Sequence, residues 1–197
     1  MSKDRPYLVV IDPGHGGKDL GAVNAGKNLR ESDINLLFAR ALELEVAGGD
    51  YLFRVRSTRD ADMFVSLPDR CAFSNRFVTD AFVSLHCNAA DNKAAKGFEV
   101  WTTRGKTASD RLSDEIFWSL SGAFPDGVPG RPDFSDNDFD KESGFYVLKN
   151  TIAPAVLVEL DFITNDQRAD WLSKPTSHAR IAAALADALE YWLEGGK

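Results

Sequence analysis

Three runs of apolar residues predict buried strands. They cover residues 8–11, 81–85 and 155–160, and the last run is interrupted by one charged residue, Glu159. Continuous apolar runs of this length, rich in β-branched residues, are typical of strands covered on both faces. Three further segments are predicted as short strands, namely residues 52–56, 97–101 and 145–148.

Segments with helical spacing alternate with these runs. The first follows Glu31, with Ser32 as its predicted N-cap, Asp33 in its first turn and a stop at the glycine pair 48–49. Further helices are predicted over residues 67–77 and 107–123, and from residue 175 to a stop at the glycine pair 195–196.

Strands that alternate with helices over the whole length predict an α/β fold. We expect a mostly parallel, twisted sheet with helices on both faces, which makes three layers. A chain of 197 residues can fill one substantial core, and no repeat or linker separates a second unit. We therefore expect residues 1–197 to form a single domain.

Residues 124–143 interrupt the alternation. They contain three prolines, several aspartates and little periodicity, so a long loop is predicted. Because this loop precedes the strand that carries Glu159, we expect it to border the ligand cleft. Phe134 or Phe139 would then contact the ligand.

Composition and charge exclude several classes of function. The formal net charge of −7 disfavours nucleic-acid binding, which needs clustered Lys and Arg. No apolar run approaches the roughly 18 residues of a membrane-spanning helix, and no signal peptide is visible, so we expect no membrane insertion. The two cysteines, Cys71 and Cys87, lack Cys-x-x-Cys spacing, and two free thiols are expected rather than a disulfide.

Polar residues suited to metal binding or proton transfer follow the buried strands. His15 lies in a glycine-rich turn after the first strand, His86 follows the second, Glu159 lies near the end of the third, and Glu31 opens the first helix. Ligands of open α/β sheets bind at the carboxyl ends of the strands, so these side chains are expected to meet. Two histidines and a carboxylate form a common ligand set for catalytic zinc, and a further glutamate can act as the general base.

Structural roles compete with this interpretation. Glu159 could form a buried salt bridge with an arginine such as Arg70. Cys87 is not expected to join His86 as a ligand, because neighbouring strand residues point to opposite faces. His178, at the start of the last helix, is expected on the surface.

Four motifs, in order, resemble those of the zinc-dependent N-acetylmuramoyl-L-alanine amidases, which include cell-division amidases, sporulation wall amidases and phage endolysins. They are Ile11-Asp12-Pro13-Gly14-His15-Gly16-Gly17, the carboxylate Glu31, Phe82-Val83-Ser84-Leu85-His86-Cys87-Asn88-Ala89, and Pro154-Ala155-Val156-Leu157-Val158-Glu159. Together they extend over nearly the whole chain. One departure is Asp161, which stands where the family usually has glycine.

The resemblance implies a peptidoglycan hydrolase that cleaves the amide between N-acetylmuramic acid and the L-alanine of the stem peptide. His15, Glu31 and His86 would hold one Zn²⁺, and Glu159 would be the general base that acts on zinc-activated water. We expect a monomer without a separate wall-binding module. It would act on the bacterial cell wall, as a phage or prophage endolysin made in the cytoplasm or as a trimmed exported enzyme.

Two other functions stay open at this point. A zinc peptidase that cuts within the stem peptide would use the same metal site. A non-catalytic wall-binding or regulatory module would keep the fold, but it is expected to lose at least one of the four site residues, and all four are present.

Asp161 leads to two opposed expectations. On an extended strand it would share a face with Glu159, and two nearby carboxylates raise each other's proton affinity. Alternatively, the chain turns sharply after Glu159 and leaves Asp161 in solvent.

Overall fold

A computed structural model describes residues 5–125, 127–135 and 138–196, and in these residues strands and helices alternate. The strands are β1 Tyr7–Pro13, β2 Val23–Asn24, β3 Leu29–Arg30, β4 Phe53–Ser57, β5 Ala81–Asn88, β6 Glu99–Thr102, β7 Lys141–Glu142 and β8 Ala155–Phe162. The helices are α1 Glu31–Gly48, α2 Leu67–Arg76, α3 Ala108–Ala123, α4 Tyr146–Asn150, α5 Asp166–Leu172 and α6 Pro175–Leu193. None of these helices has both the length and the hydrophobicity to span a lipid bilayer.

The main sheet has the strand order β4-β1-β5-β8-β6-β7, and β2 and β3 form a separate hairpin. The four strands β4, β1, β5 and β8 are parallel, which confirms the predicted mostly parallel sheet. Strand β6 runs antiparallel to β8, with Glu99 opposite Glu159, and β7 runs parallel to β6. The first residue of β6 therefore lies at the edge where the parallel strands end.

Helices cover both faces of the sheet, as expected for three layers. The larger core lies under α1, α3 and α6, where Phe38, Leu112 and Leu189 are buried against the sheet. The smaller core lies under α2 and α4 and includes Phe82 and Leu157. Alternate residues of each central strand face one core or the other, so the polar strand-end residues lie on the α2–α4 face.

The start of α1 differs from the prediction. The helix begins at Glu31, its N-cap is Arg30, and no side chain caps it, so the assignment of Ser32 as N-cap was wrong. The backbone N–H groups of Glu31 and Ser32 instead donate to the carbonyls of Ala22 and Leu20. These backbone bonds satisfy two of the unpaired donors of the first turn.

Two further predictions are corrected. Residues 145–148 belong mostly to the short helix α4 rather than to a strand, because four apolar residues fit either structure. His178 is 7% exposed rather than on the surface. The first turn of α6 packs on α1, where the imidazole meets the Phe38 ring edge-on and its Nε2 lies 2.7 Å from the Leu172 carbonyl oxygen.

The two thiols lie apart, and both are free and buried, as predicted. Cys71 belongs to the smaller core and Cys87 to the larger one. Burial raises the pKa of both thiols, so neither has the character of a reactive thiolate.

Candidate metal centre

The structure brings together the three predicted metal ligands. Glu31 Oε1 lies 3.2 Å from His15 Nε2 and 2.9 Å from His86 Nδ1. One potential ligand atom from each residue lies within 4.8 Å of the others, and the two imidazole rings meet nearly at right angles. Two imidazoles and one carboxylate at this separation can hold a tetrahedral metal ion and leave its fourth position open.

Glycines allow this close approach. A Cβ at Gly14 would lie 2.2 Å from a carbon of the His86 ring, and a Cβ at Gly21 would lie 2.6 Å from Glu31 Oε2. His15 itself has a φ of 61°, which is uncommon for a residue with a side chain. Such backbone strain is typical of functional positions held by surrounding structure.

Neighbouring groups orient the ligands. Asp19 Oδ2 lies 2.9 Å from Nδ1 of His15, which leaves Nε2 of that ring facing Glu31. The backbone N–H of Ala22 donates to Glu31 Oε2, and the N–H of Cys87 donates to Oε1. A metal ligand held through its other polar atoms keeps its position when the ion binds.

A buried arginine fixes the turn that carries His15. Arg70 Nη1 donates to Asp12 Oδ1 at 2.7 Å and to the carbonyl of Pro13, and its Nη2 donates to the carbonyl of His15. Arg70 therefore pairs with Asp12, which removes Arg70 as the structural salt-bridge partner considered for Glu159. A second buried arginine, Arg59, donates to backbone carbonyls of the same turn.

Glu159 lies beside the cluster, directly opposite His86 in the β5–β8 register. It is half-buried, and its Oε2 atom is enclosed without a hydrogen-bond partner among the described residues. Burial, together with the charges of Glu31 and Glu99, outweighs the nearby histidines and raises the pKa of Glu159 to about 7. A carboxylate with this pKa can both take up and release a proton near neutral pH.

His15 and Glu31 carry complementary charges. Burial opposes ionisation of both His15 and Glu31, but their mutual contacts outweigh it. Bonds to Glu31 and Asp19 raise the pKa of His15 to about 9, and bonds to His15 and His86 hold the pKa of Glu31 far below its usual value. A buried carboxylate that stays ionised beside two imidazoles is suited to bind a divalent cation, which can replace the proton on His15.

A cavity of about 340 Å³ opens in front of these residues. One wall is polar and includes His15, His86 and Glu159, whereas the other wall is mainly apolar. The apolar wall consists of Phe64, Val65, Leu67, Phe145, Tyr146 and Val147. Sequence reasoning did not identify this wall, because apolar residues in these segments are expected in a core as readily as in a cavity.

The described residues of the segment 124–143 are not among those that line this cavity, contrary to the expectation that Phe134 or Phe139 contacts the ligand there. Phe139 stacks on Phe117 and contacts Trp118 and Phe134, so these rings cover α3 instead. Two described residues of this segment, Arg131 and Lys141, contact Glu99 beside the site.

Asp161 lies on the extended strand, as one of the two expectations held, and not in an exposed turn. It is completely buried in β8, where the N–H of Gly97 donates to its Oδ1 and Arg168 Nε donates to its Oδ2. The strand continues to Phe162, so no exposed turn begins at Asp161. The ion pair with Arg168 balances its charge and gives it a structural role, which holds β8 to the entry of β6 and to α5.

Asp161→Gly is expected to lower the free energy of unfolding by about 3 kcal/mol, because it leaves Arg168 as an unpaired, nearly buried charge. Urea denaturation measures this effect. Asp91→Gly, which changes an exposed aspartate, is the control and should have little effect. Unchanged stability together with a shifted acidic limb of the pH–rate profile would instead show that Asp161 is coupled to Glu159.

Comparisons with known proteins agree with this geometry. The sequence pattern of the N-acetylmuramoyl-L-alanine amidase family matches residues 9–191. The amidase LytC of Bacillus subtilis (strain 168) is 33% identical over 91% of this chain, and the endolysin of Bacillus phage SPP1 is 33% identical over 92%. The chain spans 34% of LytC and 64% of that endolysin.

Solved structures give the same result. The N-acetylmuramoyl-L-alanine amidase of Clostridium difficile 630 has a TM-score of 0.89 at 28% identity, over 98% of this chain and 100% of that chain. The catalytic domain of CwlV from Bacillus (Paenibacillus) polymyxa var. colistinus has a TM-score of 0.85 at 28% identity, over 95% and 98%. His15, Glu31, His86 and Glu159 all fall within the matched residues, and the chain belongs to the N-acetylmuramoyl-L-alanine amidase family.

Proposed function

We propose that this protein is a zinc-dependent peptidoglycan amidase. It hydrolyses the amide that joins the lactyl group of N-acetylmuramic acid to the L-alanine of the stem peptide. The observation that carries this proposal is the position of Glu159, whose enclosed and unpartnered oxygen lies beside the His15–Glu31–His86 cluster. A ligand set of two imidazoles and one carboxylate, with a free carboxylate next to it, fits zinc hydrolase chemistry.

The residues of the chain have distinct tasks in this reaction. Zinc held by His15, Glu31 and His86 would supply Lewis acidity, which polarises the amide carbonyl and makes water a better nucleophile. Glu159 takes a proton from the attacking water as the water oxygen bonds to the carbonyl carbon. Glu159 then gives this proton to the amine nitrogen as the C–N bond breaks, which leaves a lactyl carboxylate and a free peptide amine.

Product analysis tests the proposal against its alternatives. Purified peptidoglycan digested by the zinc-loaded protein should release sugar-free peptides with a new N-terminal alanine, identified by liquid chromatography and mass spectrometry. Shortened stem peptides would indicate a zinc peptidase instead. A wall that binds the protein but releases nothing would indicate a non-catalytic module, which the presence of all four site residues disfavours.

We further propose that the protein acts as a monomer on the bacterial cell wall. Its relatives include both a phage endolysin and LytC of a bacterium, so they support either setting, phage lysis or bacterial wall turnover. Light scattering of the purified protein measures the oligomeric state, and a stable dimer would contradict this part of the proposal.

Zinc affinity is expected to weaken on acidification. The metal-free His15 has a pKa of about 9, so below that pH zinc must displace a proton to bind. Because one proton must be displaced, the zinc affinity should fall roughly tenfold for each unit by which the pH is lowered between about pH 8 and 6. Competition with a chelator of known affinity measures this slope, and an affinity that does not change with pH would contradict the ligand role of His15.

A further inference from the structure

The row of polar residues on the α2–α4 face continues past Glu159. His86 is opposite Glu159 across β5 and β8, and Glu159 is opposite Glu99 across β8 and β6. Directly paired residues of neighbouring strands project from the same face of a sheet. Glu99 therefore extends the active-site row by one strand, and the next strand, β7, begins with Lys141.

Glu99 is a fully bonded and ionised residue. Only 4% of its side chain is exposed, and its carboxylate accepts hydrogen bonds from Arg131 Nε and Lys141 Nζ, both at 2.8 Å. It also accepts from Asn88 Nδ2 and Trp101 Nε1. Burial disfavours its charged form, but the two cations outweigh burial and hold the pKa of Glu99 below its usual value.

Two cations share one carboxylate here. Both cations also reach solvent, since the side chains are 42% exposed in Arg131 and 21% exposed in Lys141. Arg131 binds Glu99 through Nε, and its two terminal NH₂ groups are suited to bind a second carboxylate. One cation would be enough to neutralise Glu99. The second cation is therefore not needed to balance the Glu99 charge, and it stands out in a chain whose net charge is −7.

Two aromatic rings connect Lys141 to the wall of the cavity in front of Glu159. Lys141 Nζ lies 5.3 Å from the centre of the Trp101 ring, and that ring contacts Phe145, which lines the cavity. Strand β7 is two strands away from β8, a distance of roughly 10 Å at the usual strand spacing. An extended peptide covers this distance in about three residues.

We propose that Arg131 and Lys141, held in place by Glu99, form a subsite that binds a carboxylate of the stem peptide. This inference rests on the proposed function, which places the scissile amide at Glu159. The peptide on the leaving-amine side of that bond carries carboxylates, whereas the glycan strand presents mainly hydroxyl and acetamide groups near the bond. A guanidinium and an ammonium select the charged group, so the subsite distinguishes a free carboxylate from its carboxamide.

The test compares two probes on the intact protein. One is a soluble muramoyl-peptide with free peptide carboxylates, and the other is the same compound with those groups converted to carboxamides. Calorimetry on the Glu159→Gln background measures binding without turnover. The carboxylate probe is expected to bind roughly tenfold more tightly, the factor for one charge-assisted hydrogen bond at a partly exposed site.

Single substitutions show which residues cause the preference for the carboxylate probe. Arg131→Gln and Lys141→Gln should each bring the ratio of the two affinities towards one, while each leaves one cation to pair with Glu99 and keep the strand edge folded. Lys106→Gln is the matched control, because it removes one exposed positive charge beyond the far end of β6 and should keep the ratio of the unsubstituted background.

The outcomes separate this inference from the proposed function. Equal binding of both probes, or an unchanged ratio of the two affinities in both substituted proteins, would refute the subsite. The cluster of Glu99, Arg131 and Lys141 would then have only a structural role, in which it links β6 to β7. Product analysis decides on amide cleavage independently, since affinity is measured without turnover. A preference for the carboxylate probe without amide cleavage would support the subsite and refute the amidase.

Discussion

Glu159→Gln is expected to retain zinc and to lose about 10²–10⁴-fold in rate, the usual contribution of general acid–base catalysis. Glutamine has nearly the same size and polarity as glutamate, but it cannot take a proton from water. Glu159 is also not one of the three residues whose ligand atoms cluster together, so metal binding should persist. The turnover rate on purified peptidoglycan and the zinc content by atomic emission are the two measurements.

Glu115→Gln on α3 is the control for this substitution and should keep both rate and zinc. A folded Glu159→Gln protein without zinc would mean that Glu159 is a ligand and that the assigned roles are wrong. Retention of the full rate would mean that another group takes the proton.

Removal of zinc should abolish activity, and His86→Ala should lose both zinc and activity. The substitution leaves only His15 and Glu31, and two ligands do not hold zinc at the low free concentrations where a three-ligand site does. Dialysis against a chelator, followed by addition of Zn²⁺, should eliminate and then restore hydrolysis of purified peptidoglycan.

His178→Ala controls for the loss of a histidine, because His178 packs against Phe38 in the core and away from the metal centre. It should reduce thermal stability through the lost packing and keep stoichiometric zinc. Full hydrolysis by protein shown to be free of metal would refute the zinc mechanism.

The meeting of the site residues could be predicted because it depends on a general property of parallel sheets. Apolar runs locate the central strands, and the carboxyl ends of parallel strands share one edge. His15, His86 and Glu159 were therefore expected at one edge once the strands were identified, and the strand order β1-β5-β8 places them on neighbouring strands. Glu31 joins them because α1 begins at the same edge.

Partners of buried charges could not be predicted in the same way. Arg70 could have paired with any carboxylate at this edge, and only the position of α2 on the sheet selects Asp12. Asp161 was ambiguous for the same reason, because its partner Arg168 lies on α5, a short helix that the apolar pattern did not reveal. Pairings of this kind depend on tertiary geometry rather than on residue type or spacing.

The reversed direction of β6 also has a practical consequence for protein engineering. The connection after this strand, residues 103–107, emerges at the opposite edge of the sheet from the His15–Glu31–His86 cluster. It is largely exposed, and nothing lies within 4 Å of a Cβ built on Gly105. Exposed connections of this kind tolerate inserted sequence well. A second enzyme or an affinity tag inserted at this point would face away from the cavity in front of Glu159, so it would leave the entrance of that cavity open.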